Sequence, residues 1–306
     1  MAHTSCVPRL NRRIAIAASV AAFAAIAIAA PPPAWRIAVD HAAMTAPAAR
    51  IVVVDIATGR LLATHHLDEA RRTLAAPGST LKPLILYSVL ASNRWDSNRR
   101  IVCNRRLVLA GHRLACSHPT APPFDAREAL TWSCNTYFAE VARSFGPGEL
   151  GAILRPSGLL GESGLARDEA IAEFSEPRSV ETTQLTALGV AGIRVTPLEL
   201  AAAYRWLARE LAIHADSVAA QTVRAGLEDS ASFGMAGPAS LGGVPVAGKT
   251  GTAENVSSIQ THGWFVALAP SANPQVVIAI YLPAARGAGA ARLAADLLAA
   301  SPLRNR

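Results

Sequence analysis

Lys82 and Lys249 are the only lysines among the 29 lysine and arginine residues of this 306-residue chain. Each stands in a short polar motif, Ser79-x-x-Lys82 and Lys249-Thr250-Gly251-Thr252. Arginine stays protonated inside proteins, whereas a buried lysine amine can lose its proton and act as a base. A GC-rich codon usage accounts for a shortage of lysine but not for where the two lysines stand. Serine is a poor nucleophile until a neighbour takes its proton. At the start of a helix, positions i and i+3 share a face, which sets the Lys82 amine beside the Ser79 hydroxyl. The partial positive charge of a helix N-terminus favours negative charge developing on a substrate oxygen. The chemistry these two residues suit is attack on a carbonyl.

Ser133-Cys134-Asn135 is a second polar group. Its hydroxyl suits a proton relay and its amide suits a substrate carbonyl. Residues i and i+2 do not share a helix face, so both side chains reach one cleft only if a helix begins or bends there. In the third motif, a lysine with Thr250 and Thr252 beside Gly251 suits a carboxylate, and the glycine lets a ligand approach the backbone. Taken singly, each motif also fits an ordinary polar turn or strand end.

The elements around them follow a simple plan. Residues 51–55 and 61–64 read as a hairpin with Gly59 in the turn. Residues 79–92 have a helical pattern, as do 126–145, 150–154, 182–189 and 197–211, with Pro197 suited to a first turn. Strand patterns return at 244–254, 263–269 and 275–281, and a last helix covers 288–300. Strands at both ends of a helical middle predict one sheet with a helical insertion, an α/β (α+β) fold.

Residues 14–30 form an apolar run preceded by Arg9, Arg12 and Arg13 and ended by Pro31-Pro32-Pro33. It reads as a membrane anchor with 1–13 as a cytoplasmic tail and the rest exported, or as a signal segment cleaved on export to the periplasm. Residues 31–49 read as a linker and 50–306 as the folded domain. The formal charge of +7 is carried by scattered arginines, with no basic helix, so no nucleic-acid partner is expected. Cys103 and Cys116 flank a hairpin-like stretch and in an oxidising compartment can pair as a disulfide; two buried free thiols are the alternative. Cys134 is expected to pack among helices. The eight histidines and four cysteines show no metal-ligand spacing, so neither a metal nor a cofactor is expected.

The order S-x-x-K, S-x-N, K-T-G resembles the penicillin-binding protein and serine β-lactamase superfamily. Ala76-Pro-Gly-Ser-Thr-Leu-Lys-Pro83, Ser133-Cys-Asn-Thr-Tyr-Phe138, Arg194-Val-Thr-Pro-Leu-Glu-Leu-Ala201, Ala247-Gly-Lys-Thr-Gly-Thr-Ala-Glu254 and Gly263-Trp-Phe-Val-Ala-Leu-Ala-Pro270 are similar to the transpeptidase domain of class B penicillin-binding proteins. The resemblance implies an antiparallel sheet flanked by helices, an all-helical lobe and a cleft between them. It implies that Ser79 attacks the D-Ala-D-Ala carbonyl of a peptidoglycan stem peptide, with Lys82 as base and Ser133 as proton shuttle. Asn135 would hold the donor peptide. Lys249, Thr250, Gly251 and Thr252 would bind the terminal carboxylate and shape the cleft, Lys249 staying charged. The amides of Ser79 and Thr252 would form the oxyanion hole. β-Lactams would acylate Ser79, and cell-wall synthesis proteins would be partners.

One departure stands out: class B proteins usually carry a sizeable non-catalytic module where this chain has only residues 31–49. A D,D-carboxypeptidase uses the same residues with water as acceptor and is the main alternative. A β-lactamase is disfavoured, because residues 155–180 hold no Glu-x-x-x-Asn. A non-enzymatic β-lactam-binding protein is disfavoured by the intact motifs.

Overall fold

The structure is a computed structural model that describes residues 1–2, 33–119, 123–254 and 261–304. The expected tail and anchor (residues 1–13 and 14–30) lie outside the described residues but for the first two. No helix among the described residues is long and apolar enough to cross a membrane.

In chain order, helix α1 (Pro33–Thr45) leads into the hairpin β1 (Arg50–Asp55) and β2 (Leu61–His65), then α2 (Leu67–Ala70) and α3 (Lys82–Ala91). A small hairpin follows, β3 (Arg106–Leu109) and β4 (His112–Ala115), then α4 (Ala126–Thr131), α5 (Asn135–Ala142) and α6 (Glu149–Leu154). Short strand β5 (Glu173–Phe174), α7 (Val180–Ala187) and short strand β6 (Ile193–Arg194) precede the long helices α8 (Pro197–Ile213) and α9 (Val218–Ser232). The chain ends with β7 (Ala247–Glu254), β8 (Thr261–Ala269), β9 (Val276–Leu282) and α10 (Gly287–Ala299).

The main sheet has the order β2-β1-β9-β8-β7 and is antiparallel throughout. Its strands alternate between two buried faces, because successive side chains point to opposite sides. Ile51, Val53, Phe265, Ala267, Ile278 and Ile280 join the α1 and α10 side chains Trp35, Val39, Leu293 and Leu297 in one core. Val52, Val54, Trp264, Val266, Val277 and Tyr281 join the helices of the middle region in the other. The sheet is thus flanked by helices on both faces, as expected, and β7 is an edge strand.

Two expectations change. Residues 33–45, assigned to a linker, form α1 and pack on α10 and β2. Trp35, Ala38, Val39 and Ala42 recur at helical spacing and are buried, a stripe hidden among alanines. The single helix expected over 126–145 is two, since the chain turns at Trp132, Ser133 and Cys134 and restarts at Asn135.

Candidate active site

Ser79 lies in a short 3-10 turn, Gly78–Leu81, that runs directly into α3 at Lys82. The turn is fixed from several sides. Trp264 Nε1 donates to Ala76 O at 2.9 Å, and His262 Nε2 lies at the same distance from that oxygen. Thr80 Oγ1 donates to Pro77 O at 2.7 Å, and Tyr204 Oη donates to Thr80 O at 2.9 Å. Gly78 N donates to Gly189 O at 2.9 Å. Gly78 has φ +55°, and a Cβ there would stand 2.9 Å from Thr252 O. A Cβ on Gly251 would stand 2.6 Å from Pro77 O. The nucleophile turn and the edge strand therefore touch backbone to backbone, and only glycine permits this on either side.

Ser133 sits in the break between α4 and α5 with φ +56°, a rare conformation for a residue with a side chain. The break resolves the i, i+2 problem, since both Ser133 and Asn135 reach the Lys82 amine. Lys82 Nζ donates to Asn135 Oδ1 at 2.7 Å, to Ser133 O at 2.8 Å and to Ser133 Oγ at 3.3 Å. It also lies 5.2 Å from the centre of the Phe138 ring. Asn135 Nδ2 donates to Ala115 O at 3.1 Å, which fixes the amide orientation. The hydrogen bonds of Lys82 thus run to Ser133 and Asn135, whereas the i, i+3 spacing had pointed to Ser79.

Lys249 projects from β7 and donates to Ser133 Oγ at 2.9 Å and to Thr250 O at 3.0 Å. Two amines, 0% exposed, therefore meet at one hydroxyl. Burial pushes the Lys82 amine down from 10.5 to about 8, against the opposing pull of nearby Cys116, Cys134 and Cys103. Burial also pushes Lys249 down, well below its ordinary value, and the Lys82 cation adds to this. A site that already holds one buried cation disfavours a second. Burial and the neighbouring Lys82 cation thus both work against the charge expected on Lys249 in the empty site. Thr250 and Thr252 lie on the opposite face of β7 from Lys249. Thr250 Oγ1 donates to Met235 O at 3.4 Å, and Thr252 Oγ1 accepts from Gly287 N at 2.9 Å. Gly251 faces Pro77 and Thr80.

Behind the Ser133 turn lie three thiols. Cys103 and Cys116, expected as a disulfide, are free thiols with their sulfurs 3.5 Å apart, and Cys134 is free as well. Sequence spacing missed that a buried histidine, His118, comes to the same point. Ligand atoms of all four residues lie within 4.8 Å of one another. Asn135 N donates to Cys116 Sγ at 3.2 Å, and a hydrogen bond from Cys134 pushes the Cys116 thiol down.

Sequence reading also missed the residues that hold the nucleophile turn. Tyr204 and His262 carry no motif of their own; Trp264 and Glu199 lie in segments that resemble the family without implying a role for them. Glu199 closes the N-terminus of α8, accepting from Thr196 N at 2.7 Å and Ala172 N at 2.6 Å. Burial raises its carboxyl to about 7 against these bonds.

The chain is similar to known proteins. Residues 49–300 match the penicillin binding protein transpeptidase domain family. The protein named "Probable peptidoglycan D,D-transpeptidase PenA" of Neisseria gonorrhoeae is 27% identical over 294 residues, covering 79% of this chain and 49% of the relative. PenA of Neisseria meningitidis serogroup B gives the same figures. The chain spans about half the length of these curated relatives. Among solved structures, the apo transpeptidase domain of Burkholderia pseudomallei penicillin-binding protein 3 superposes with a TM-score of 0.74 at 20% identity, covering 86% of this chain and 90% of that one. Pseudomonas aeruginosa PBP2, in complex with WCK 5153, gives 0.76 at 20% identity, covering 89% and 74%. With the sheet, the helical lobe and the three motifs in this arrangement, the chain belongs to the penicillin-binding protein transpeptidase domain family.

Proposed function

We propose that this chain is a peptidoglycan D,D-transpeptidase that cross-links stem peptides through an acyl-enzyme on Ser79, and that β-lactams acylate the same serine. The observation that carries the reading is the pair of buried amines meeting at Ser133 Oγ, with the nucleophile turn packed on the same edge strand. Such a pair holds one proton and can move it. In the empty site the proton rests on Lys82. When the carboxylate of D-Ala-D-Ala docks at β7, it draws positive charge to Lys249. Ser133 then gives its hydroxyl proton to Lys249 and receives one from Lys82. Lys82, now neutral, takes the proton of Ser79 as Oγ attacks the penultimate carbonyl.

The backbone amides of Ser79 and Thr252 face the developing oxyanion, which fits the contact of Thr252 with Gly78. Asn135 holds the donor peptide with its amide. Thr250, Gly251 and Thr252 shape the carboxylate end of the cleft. The proton leaves Lys82 through Ser133 to the departing D-Ala amine. The amine of a second stem peptide then takes the acyl group and frees Ser79. Residues 14–30 would anchor the chain in the membrane, or direct its export, with the domain outside the cytoplasm and cell-wall synthesis proteins as partners. Labelling with a fluorescent penicillin tests the site: wild type is expected to carry a covalent label and Ser79→Ala none. Equal label on Ser79→Ala would overturn the assignment of the nucleophile.

A further inference from the structure

Cys103, Cys116, His118 and Cys134 come from three separate segments, one before β3, one after β4 and one at the start of α5. Their ligand atoms lie within 4.8 Å of one another. A tetrahedral zinc ion with zinc–sulfur bonds of about 2.3 Å needs donor atoms roughly 3.5–3.8 Å apart, and the Cys103 and Cys116 sulfurs stand at 3.5 Å. A disulfide needs about 2.05 Å and would leave Cys134 over.

His118 gives a second, independent pointer. It is 2% exposed. Its Nδ1 lies 2.9 Å from Pro119 O and therefore carries the proton. Nε2 is then a bare lone pair, buried and without a hydrogen-bond partner. A ring whose far N–H is held by a backbone carbonyl is how metal-bound histidines are oriented. The sulfurs have matching outer partners. Arg105 N donates to Cys103 Sγ at 3.3 Å and Asn135 N to Cys116 Sγ at 3.2 Å, while Thr136 Oγ1 lies 3.4 Å from Cys103 Sγ.

We propose that Cys103, Cys116, His118 and Cys134 form a structural zinc site that ties the β3–β4 hairpin to the turn carrying Ser133 and Asn135. Three thiolates and one imidazole are a closed zinc donor set, too soft for magnesium or calcium and one thiolate short of an iron–sulfur cluster. Binding displaces the thiol protons to solvent, up to one per cysteine, with no change of oxidation state. Cys134 lies between Ser133 and Asn135 in the chain, so the ion would hold Ser133 in its left-handed conformation and fix the Asn135 amide. This last consequence rests on the role proposed for those residues; the metal site itself does not.

The test uses the full chain, purified in detergent under reducing conditions without chelator. Elemental analysis is expected to give one zinc per chain. Exchange with cobalt(II) is expected to give intense thiolate charge-transfer and tetrahedral d–d absorption. Cys103→Ser and His118→Ala should each weaken metal binding by more than the roughly 10–100-fold that loss of an outer-shell partner costs, measured with zinc(II) and a chromogenic chelator. Both should slow penicillin labelling, and added zinc should restore it in part. Ser79→Ala should keep its zinc while losing label, so the two proposals fail separately. Less than stoichiometric zinc with no tetrahedral cobalt spectrum in the wild type would overturn the site, as would a Cys103–Cys116 disulfide in the reduced preparation or undiminished affinity in both variants. The wild-type cobalt spectrum decides the matter even if a variant does not fold.

Discussion

The shared proton of Lys82 and Lys249 can be tested by pH. In the relay proposed above the pair holds its last proton on Lys82, whose amine burial lowers to about 8. The active form proposed above carries that one proton, moved to Lys249. Acylation should therefore be level around neutral pH and fall as the pair empties. At pH 7 about nine-tenths of sites would hold the proton, and at pH 9 about a tenth, a fall of roughly tenfold. The assay is the rate of fluorescent penicillin labelling between pH 6 and 9.5, with product per unit time read before saturation. Lys82→Arg keeps a cation but cannot supply a base, and should slow labelling by ~10²–10⁴-fold at every pH. A rate that climbs through pH 8 would show that the proton must leave the pair altogether, and would refute the relay. A normal rate in Lys82→Arg would refute the need for a neutral amine. Stability should move the opposite way. The unfolded chain binds a proton on Lys82 up to 10.5, and the folded chain lets it go at about 8. Burial of the charged amine therefore costs on the order of 3 kcal/mol below pH 8, a penalty relieved between pH 8 and 10.5. Lys249, lowered further by the same burial, adds to the rise, so chemical denaturation at pH 7 and 10 should show a gain in stability of at least this size.

Ser133→Ala removes the hydroxyl between the two amines; labelling should slow by about 10²-fold with little change in melting temperature, and an unchanged rate would exclude the relay. Gly251→Ala puts a methyl group against Pro77 O; by the usual cost of overpacking it should lose about 1–3 kcal/mol in urea denaturation and much of the labelling. Tyr204→Phe removes one bond to the nucleophile turn; by the value of a single hydrogen bond it should lose about 1 kcal/mol and reduce labelling modestly, as read by calorimetry and the same assay. Overexpression should raise cross-linked muropeptides in wall digests, whereas trimmed stems without added cross-links would favour the carboxypeptidase.

Sequence carried the sheet well, because β1, β8 and β9 are runs of apolar residues bounded by turn signals. It also carried the three motifs, since Ser79, Lys82, Ser133, Asn135 and Lys249 are unusual in combination. It carried less of their mutual contacts. A spacing of three residues placed Lys82 beside Ser79, but the amine's hydrogen bonds follow acceptors supplied by Ser133 and Asn135, 51 and 53 positions away. The state of Lys249 was illegible for the same reason: burial and the neighbouring cation are properties of the fold. Helix α1 was hidden because alanine marks an apolar stripe weakly. The thiol cluster was hidden because His118 has no pattern until three segments converge on it.

Under the function proposed above, the backbone contact between Gly78 and Thr252 also bears on β-lactam resistance. The nucleophile turn cannot retreat from the edge strand without breaking the bonds from Trp264 and Tyr204. A variant that escapes a β-lactam by moving Ser79 would therefore lose the hold on its own substrate. Selection under β-lactam should accordingly leave residues 76–80 and 249–252 unaltered.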